Sequence, residues 1–205
     1  MGSKILTLPG ASERDLAHCR DIIRSGGVIA YPTDTFYGLG ADPSNRGAVR
    51  RIFDIKGRAA DQPVLLLLSD RADVPIWAAV VTLSAERLMD RFWPGPLTLV
   101  FRAAPRVLPE LTGGTGTIGL RVPGRGLTRD LLRSLGTALT GTSANRSGGA
   151  SPRNAAEVLS ELGGSIDLVL DGGPSAEELP STVVDVTAEP PRVIRRGVID
   201  IGAQS

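Results

Sequence analysis

Two hydrophobic patterns alternate along the chain, and this alternation constrains the fold more than any other feature. Segments with apolar residues at helical spacing, such as residues 12–26, alternate with short apolar runs, such as residues 28–31. Three strand-like segments then follow one another towards the C-terminal end. Alternating helices and strands favour helices packed on a sheet with parallel pairs, and consecutive strands add antiparallel pairs. The sequence therefore predicts an α/β fold with a twisted, mixed parallel and antiparallel sheet, flanked by helices and open on one face.

The individual elements can be placed from their start and stop signals. The first helix begins with a capping-box pattern at Ser12 and Asp15 and ends at Gly26 and Gly27. Further helices are predicted at residues 47–57, 75–80, 83–92, 127–136 and 151–164, the last with Pro152 and Asn154 at its start. Strands are predicted at residues 28–32, 63–69, 96–101, 117–123, 137–141, 166–173, 181–186 and 191–199.

Composition restricts the class of protein. The chain has 205 residues, 41% of them hydrophobic and 22% charged, and a net charge of +1. We expect one domain over residues 1–205 and no general attraction to nucleic acids or anionic membranes. One histidine, His18, and one cysteine, Cys19, exclude an internal disulfide, a cysteine-based zinc site and a histidine cluster. The sequence has no signal-peptide core and no membrane-spanning run, so we expect a cytoplasmic location.

Two motifs resemble well-known sites but lack their context. Residues 114–119 match GxGxxG, yet a proline-containing loop precedes them and a strand-like segment follows, whereas a dinucleotide site needs a strand before and a helix after. Residues 141–145, GTSAN, resemble a nucleophile elbow, but the only histidine lies far upstream of the serine. The Walker pattern is absent as well. Any ATP must therefore be bound without a P-loop.

Other polar stretches carry side chains suited to binding anions. Residues 32–40 place hydroxyls and glycines directly after a strand, and residues 142–151 lead a series of hydroxyls towards a helix start. Lys56 and Arg58 lie where a helix ends, and Arg121 lies in an apolar strand, where it suits bidentate capture of a carboxylate or phosphate. Each feature also has a simpler explanation. Residues 32–40 could form a tight turn after a strand, and residues 142–151 a polar turn with a helix cap. Lys56 and Arg58 could be solvated charges at a helix end, and Arg121 could lie on an edge strand.

Six motifs, PTDTFYGLG, KGR, TIGLRVP, SANRSGGASP, STVVDV and VIRRG, together resemble the YrdC/TsaC family of threonylcarbamoyl-AMP synthases in order and spacing. The resemblance runs from about residue 12 to 200 and implies a YrdC-like α/β domain with its core over those residues and a large concave cavity, without the extra C-terminal domain of longer relatives. It implies a nucleotidyltransferase that condenses L-threonine, bicarbonate or CO2, and ATP into L-threonylcarbamoyl-AMP and pyrophosphate, with Mg²⁺ but no protein metal site. The product is expected to serve a partner complex that modifies an adenosine beside the tRNA anticodon.

The resemblance also assigns site residues, motif by motif. L-Threonine is expected on Thr35, Arg121 and Ser181, with Thr35 donating to the amino acid and Arg121 taking its carboxylate. ATP is expected on Lys56, Arg58, Gln62, Thr117, Ser143, Asn145, Ser151 and Arg195. Lys56 and Arg58 are expected to be the catalytic cations that neutralise phosphate charge.

Further expectations concern the glycines and the departures from the family pattern. Gly38 and Gly40 are expected to let backbone approach the ligand. Gln62 stands where the family often has an asparagine, and Leu67 stands where some relatives carry a histidine near the threonine. Arg196 stands where a proline is usual. None of these differences removes a charge that the mechanism needs.

Two other functions remain open at the level of sequence. One is a double-stranded RNA or tRNA-binding module without catalysis, for which Arg50, Arg51, Lys56 and Arg58 could form a local basic patch. The same patch allows weak RNA binding beside catalysis. The other is a carbamoyl-adenylating relative with a different acceptor, such as the domains within carbamoyltransferases and hydrogenase maturation factors.

Overall fold

The computed structural model describes residues 4–8, 10–175 and 179–202 of the chain. The strands are β1 Lys4–Thr7, β2 Ile29–Tyr31, β3 Gly38–Gly40, β4 Leu66–Leu67, β5 Leu97–Arg102, β6 Thr117–Arg121, β7 Leu139–Thr140, β8 Thr142–Ser143, β9 Leu168–Asp171, β10 Thr182–Asp185 and β11 Arg192–Arg195. The α-helices are α1 Glu13–Arg24, α2 Arg46–Lys56, α3 Val74–Trp77, α4 Leu83–Phe92, α5 Pro109–Thr112, α6 Gly126–Leu135 and α7 Ala155–Leu162, with a 3-10 helix at Arg71–Asp73. Helices and strands alternate before three final strands, as the sequence predicts.

The strands form two mixed sheets rather than one. The five-stranded sheet has the order β1-β9-β2-β3-β8, and the six-stranded sheet has the order β11-β10-β5-β6-β4-β7. Each contains parallel and antiparallel pairs, which confirms the mixed α/β class. Gly141 alone separates β7 from β8, and its N–H donates to the Leu65 carbonyl at 2.7 Å. The chain therefore passes from one sheet to the other at Gly141, which sequence patterns did not predict.

The helices begin where capping side chains are available. In α1, Ser12 and Asp15 each accept a hydrogen bond from the other's backbone N–H, which confirms the predicted capping box. The helix predicted over 151–164 begins only after Asn154, whose side chain caps its first turn, so Pro152 precedes the helix. Within the described ranges, no helix is long and apolar enough to cross a membrane.

Several predicted elements are shorter than expected, and five short ones have no clear signal. The strand predicted over 63–69 is reduced to the two residues of β4, which pair with β6 on one side and with β7 on the other. The helix predicted over 75–80 ends at Trp77, because Ala78 turns extended and forms a bridge with Ala103. The unpredicted elements have two to four residues each, and they are β1, β3, β8, α5 and the 3-10 helix at Arg71–Asp73. Such short elements depend on their neighbours rather than on their own pattern.

The six-stranded sheet has one face in the core. Leu66, Leu99, Leu120 and Val184 lie beside one another on adjacent strands and are completely buried. Because side chains alternate along a strand, Arg121 lies on the opposite face from Leu120, as predicted. The core face holds the sheet in place, and the other face is free to form a site.

Gly197, just after β11, lies very close to the backbone at Pro180 and Ser181. A Cβ at this position would lie 2.1 Å from the Pro180 carbonyl oxygen and 2.6 Å from the Ser181 carbonyl carbon. Because backbone cannot yield as a flexible side chain does, we expect Gly197→Ala to lower the free energy of unfolding by about 2 kcal/mol or more. The measurement is urea denaturation of both variants beside the unaltered protein.

Gly164→Ala is the matched control, because a Cβ there meets no atom within 4 Å. We expect it to change stability by no more than about 0.5 kcal/mol. Equal stabilities for the two variants would contradict the close approach at Gly197.

Candidate active site

An open cleft with a volume of about 360 Å³ lies where the two sheets meet. The five-stranded sheet contributes Gly38 and Ser143 to its wall, and the six-stranded sheet contributes Leu67, Val100 and Gly119. Small-molecule sites commonly have volumes of roughly 300–1,000 Å³. The cleft is therefore at the lower end of that range, smaller than the large cavity that the family resemblance implies.

The cleft brings most of the predicted site residues together. Its wall includes Thr35, Arg58, Thr117, Arg121, Ser143, Ser151, Ser181 and Arg195. Three predicted residues lie outside the wall: Lys56, Gln62 and Asn145. Residues that are distant in sequence thus share one hollow.

Lys56 is buried behind the cleft wall rather than solvated at a helix end. It is the last residue of α2 and is 3% exposed. Its Nζ donates to the carbonyls of Ser143 and Asn145, the latter at 2.6 Å. Burial, followed by the nearby charge of Arg58, lowers the pKa of Lys56 to about 8. The ammonium therefore holds the backbone that forms one side of the cleft.

Asn145 and Gln62 take different positions from those predicted. The Asn145 amide nitrogen donates to the carbonyls of Arg146 and Gly149, each at 2.8 Å. Its Oδ1 is buried without a hydrogen-bond partner among the described atoms. Gln62 is exposed, and its backbone carbonyl accepts from Arg58 Nε at 3.4 Å. Asn145 thus fixes the loop after β8, while Gln62 lies outside the cleft.

Arg121 lies in the middle of a sheet, which rules out an edge-strand arginine. β6 is flanked by β5 and β4, and Arg121 is 4% exposed. Its Nε donates to the Gly95 carbonyl at 3.0 Å, and its Nη2 forms a short ion pair with Asp34. The other carboxylate oxygen of Asp34 accepts from the Gly124 N–H at 3.0 Å. The orientation of the guanidinium is therefore fixed from several sides.

The hydroxyls of Thr33 and Thr35 are hydrogen-bonded in a fixed direction. The Thr33 hydroxyl donates its proton to the Phe36 carbonyl at 2.6 Å. The two hydroxyl oxygens are 3.2 Å apart, and because the Thr33 proton is already used, Thr35 is the donor of the pair. Arg121 Nη1 donates to Thr35 Oγ1 at 3.2 Å. In this arrangement Thr35 offers a ligand an acceptor, so the expected donation from Thr35 to the amino acid would require its hydrogen bond to Thr33 to break.

The glycines of this loop make room for a tyrosine ring. A Cβ on Gly40 would lie 2.5 Å from the ring of Tyr31, and a Cβ on Gly38 would lie 3.0 Å from it. Tyr31 is completely buried and donates its hydroxyl to the Thr140 carbonyl at 2.7 Å. Gly38 also lines the cleft, but Gly40 does not. The predicted close approach to a ligand is therefore corrected for Gly40, whereas for Gly38 it stays a prediction.

A β-bulge turns Arg195 towards the cleft. Val193 pairs with Val184 on the core face, whereas Arg195 pairs with Val183 on the cleft face. In a regular strand, residues two apart share a face, so the register shift requires one extra residue, Ile194. Without the bulge, Arg195 would lie on the core face.

Arg195 has a guanidinium that lacks a carboxylate partner among the described residues. Its Nη2 donates to the Ser181 carbonyl at 2.9 Å and to the Ser181 hydroxyl at 3.2 Å. Ser181 Oγ is also 2.9 Å from Thr98 Oγ1. Burial, followed by the charge of Arg121, lowers the pKa of Arg195. An anion in the cleft would relieve this repulsion between two cations.

Arg58 lies at another side of the same cleft. Its Nη2 donates to the Pro63 carbonyl at 2.8 Å, and its Nη1 lies 3.4 Å from Thr142 Oγ1. Burial lowers the pKa of Arg58. In the part of the chain that the structure describes, no carboxylate pairs with Arg58. Its charge is therefore also available to an anionic ligand.

Sequence reasoning missed Asp34 and Tyr37 as parts of this site. Asp34 is the only acidic residue in PTDTFYGLG, and a buried arginine needs an acidic partner, so this signal was present. The Tyr37 hydroxyl donates to the Gly173 carbonyl at 2.8 Å, and its N–H donates to the Pro152 carbonyl at 2.9 Å. Nothing in the local pattern of Tyr37 indicates these distant partners.

The described residues do not provide a cage for a metal ion. No group of three or more histidine, cysteine, aspartate or glutamate side chains within these ranges could hold a metal. No carboxylate among the described residues lines the cleft. A magnesium ion fits this site only as part of a bound triphosphate, because Mg²⁺ is often held largely by substrate phosphates and water.

The fold and the cleft together define a class of protein. It is an α/β protein in which three guanidiniums and a set of hydroxyls face a hollow of small-molecule size. Such a lining suits a small anionic ligand, and in particular carboxylates and phosphates.

Comparison with known proteins identifies the family. The Sua5/YciO/YrdC family model, described as "Telomere recombination", matches residues 21–197. The chain is 39% identical over 175 residues to the threonylcarbamoyl-AMP synthase of Pyrococcus abyssi, which covers 85% of this chain and 52% of that protein. It is 42% identical over 164 residues to the threonylcarbamoyl-AMP synthase of Thiobacillus denitrificans, covering 80% of this chain and 87% of that protein. The chain belongs to the Sua5/YciO/YrdC family.

A solved structure agrees with this membership. The crystal structure of P. abyssi Sua5 complexed with L-threonine has a TM-score of 0.91 to this chain at 36% identity, over 95% of this chain and 58% of that one. The chain thus spans only about half the length of the Pyrococcus relative, 52% by sequence.

The buried position of Lys56 predicts a pH dependence of stability. Its pKa is about 8 in the folded protein, below the ordinary value of 10.5. Between these pH values the unfolded chain binds more protons, so folding becomes more favourable as pH rises. We expect the free energy of unfolding to rise from pH 8 to 10.5 relative to that of Lys56→Met, measured by urea denaturation. If the free energy of unfolding changed with pH equally in the two proteins, the burial of a charged Lys56 would be contradicted.

Proposed function

We propose that the protein is an L-threonylcarbamoyladenylate synthase, which makes L-threonylcarbamoyl-AMP and pyrophosphate from L-threonine, bicarbonate or CO2, and ATP. The observation that carries this proposal is that Thr35, Arg121 and Ser181 share one cleft with Arg58 and Arg195. The names of the relatives and the threonine bound in P. abyssi Sua5 support it. A carboxylate site and a phosphate site in one hollow are what this reaction needs.

The threonine side of the cleft is proposed around Arg121. Its guanidinium is held by Asp34 and the Gly95 carbonyl, so its direction does not change when a ligand arrives. A fixed guanidinium suits a carboxylate, with which it forms charge-assisted hydrogen bonds. Thr35 accepts a hydrogen bond from Arg121, and Ser181 lines the same cleft; both are proposed to offer polar atoms to the rest of the amino acid.

The ATP side is proposed around Arg58 and Arg195, together with the hydroxyls of Thr117, Ser143 and Ser151. All five residues line the cleft. Lys56 lies behind Ser143, and its ammonium can serve the phosphates by exchanging a carbonyl partner for a phosphate oxygen. Two further residues are proposed to support the ATP side. Asn145 orders the loop after β8, and Gln62 lies exposed outside the cleft.

The chemistry requires positioning and charge neutralisation more than a strong base. The neutral amine of threonine attacks CO2, forming the N–C bond and releasing one proton to water. With bicarbonate, water leaves instead. An oxygen of the carbamate then attacks the α-phosphorus in line, the bond to the β-phosphate breaks, and pyrophosphate leaves. Arg58, Arg195 and Lys56 stabilise the negative charge that these steps concentrate in the cleft.

The cellular role follows from the product. A mixed anhydride of a carbamate and AMP is an activated donor, so a downstream complex that transfers the threonylcarbamoyl group to tRNA is the expected consumer. We therefore propose a role in tRNA processing in the cytoplasm, where ATP and tRNA are available.

The basic patch proposed for RNA binding is largely neutralised. Arg50 lies 3.4 Å from Glu110, and Arg51 lies 3.0 Å from Asp167. Lys56 is buried, so it does not contribute a surface charge. A catalytic cleft is therefore favoured over an RNA-binding module without catalysis.

The proposed reaction predicts an obligatory dependence on all three substrates. We expect pyrophosphate release only when L-threonine, bicarbonate and ATP are present together, and we expect mass spectrometry to detect threonylcarbamoyl-AMP. Serine, glycine and valine as competitors test the selectivity for threonine and the effect of Leu67. No pyrophosphate release, combined with salt-sensitive binding to duplex RNA, would favour the RNA-binding alternative.

Arg121→Lys tests the carboxylate site. Lysine keeps the positive charge but loses the planar fork, so we expect KM for threonine to rise roughly 10- to 100-fold. KM for ATP should change much less, because Arg58 and Arg195 are unaltered. Arg102→Lys, at an exposed arginine in β5, is the matched control and should resemble the unaltered protein. An equal rise in both KM values would contradict the separate threonine side.

A further inference from the structure

Every hydrogen-bonding position of the Thr33 hydroxyl is occupied. A hydroxyl has one proton to donate and two lone pairs that accept. Thr33 donates to the Phe36 carbonyl at 2.6 Å. It accepts from the Thr35 N–H at 3.1 Å and from the Thr35 hydroxyl, whose oxygen is 3.2 Å away. Thr33 therefore has nothing left to offer a ligand, although it lines the cleft.

The Thr35 hydroxyl, in contrast, has one position free. Its proton goes to Thr33, and one lone pair accepts from Arg121 Nη1 at 3.2 Å. The second lone pair has no donor among the described residues. Thr35 is 6% exposed and lines the cleft, so a ligand in the cleft is what can reach this lone pair. The free position is an acceptor, and it lies beside a guanidinium.

We infer that Thr33 is a positioning residue that fixes the Thr35 hydroxyl as an acceptor for the amine N–H of an α-amino acid whose carboxylate is bound by Arg121. An α-amino acid carries a hydrogen-bond donor and a carboxylate on one carbon. A lone pair and a guanidinium joined by a 3.2 Å hydrogen bond are complementary to that pair. The inference rests on the proposed function for the identity of the amino acid.

The direction of this hydroxyl matters for the proposed reaction. The amine must attack CO2 with its nitrogen lone pair. A hydroxyl that donated to the nitrogen would occupy that lone pair and compete with the attack. A hydroxyl that accepts an N–H turns the lone pair away from Thr35 and leaves it free. Thr33 therefore acts through Thr35, without touching the substrate's reacting atoms.

The test compares binding of L-threonine with binding of 3-hydroxybutyrate, which has the carboxylate and hydroxyl of threonine but no amine. Calorimetry measures both dissociation constants for the full chain and for Thr33→Val, Thr33→Ser, Thr35→Val and the Thr33→Val/Thr35→Val double variant. Valine keeps the shape of threonine and removes the hydroxyl, whereas serine keeps the hydroxyl. These binding measurements do not depend on catalysis.

We expect Thr33→Val to weaken threonine binding about three- to tenfold, the value of one net hydrogen bond. Binding of 3-hydroxybutyrate should change less than about twofold. Thr33→Ser should restore threonine binding, and the double variant should bind threonine no more weakly than Thr35→Val, because both residues act on one hydrogen bond. In pyrophosphate release, Thr33→Val should raise KM for threonine but not KM for ATP.

Several results would overturn the inference. Equal weakening of both ligands in Thr33→Val would show a general loss of structure, and additive effects in the double variant would show that Thr33 does not act through Thr35. Absence of threonine binding in the unaltered protein would also refute it. Threonine binding with the expected pattern but without pyrophosphate release would refute the proposed function while leaving the role of Thr33 intact.

Discussion

A guanidinium almost completely withdrawn from water, that of Arg121, is the constraint on which the site depends. Burying an unpaired charge costs several kcal/mol, so the surrounding chain must supply partners. The Asp34 carboxylate, the Gly95 carbonyl and the Thr35 hydroxyl do so. Because these partners come from separate segments, one buried charge orders the loop after β2, the segment before β5 and the end of β6 together.

The remaining charges of the cleft are arranged differently. Among the described residues, Arg58 and Arg195 have carbonyl and hydroxyl partners but no carboxylate. Two cations of this kind, together with the buried ammonium of Lys56, create a positive region in a chain whose net charge is only +1. Under the proposed function this region would receive the phosphates, with the two guanidiniums already in the cleft wall and Lys56 exchanging a carbonyl partner for a phosphate oxygen. The bulge at Ile194 is part of this arrangement, because it turns Arg195 towards the cleft.

The sequence predicts the parts of this molecule that have a local signal. Capping side chains and apolar periodicity predict α1 and α2 within one or two residues, and the motifs predict eight of the residues that line the cleft. The passage between sheets at Gly141 has no such signal, since β7 and β8 have two residues each. The hydrogen bonds of Lys56 depend on distant partners, and the direction of the Thr35 hydroxyl depends on how the loop around Thr33 and Phe36 folds. Residue types can be inferred from a motif, but hydrogen-bond direction and burial require the folded chain.

The central claim is that one cleft binds an amino acid and a nucleotide at the same time. The most direct measurement is a crystal structure of the full chain with L-threonine and a non-hydrolysable ATP analogue. The account predicts the threonine carboxylate on Arg121, an amine N–H on Thr35 Oγ1, and the triphosphate between Arg58 and Arg195. Either ligand bound on another surface, or a threonine whose carboxylate lies away from Arg121, would contradict it.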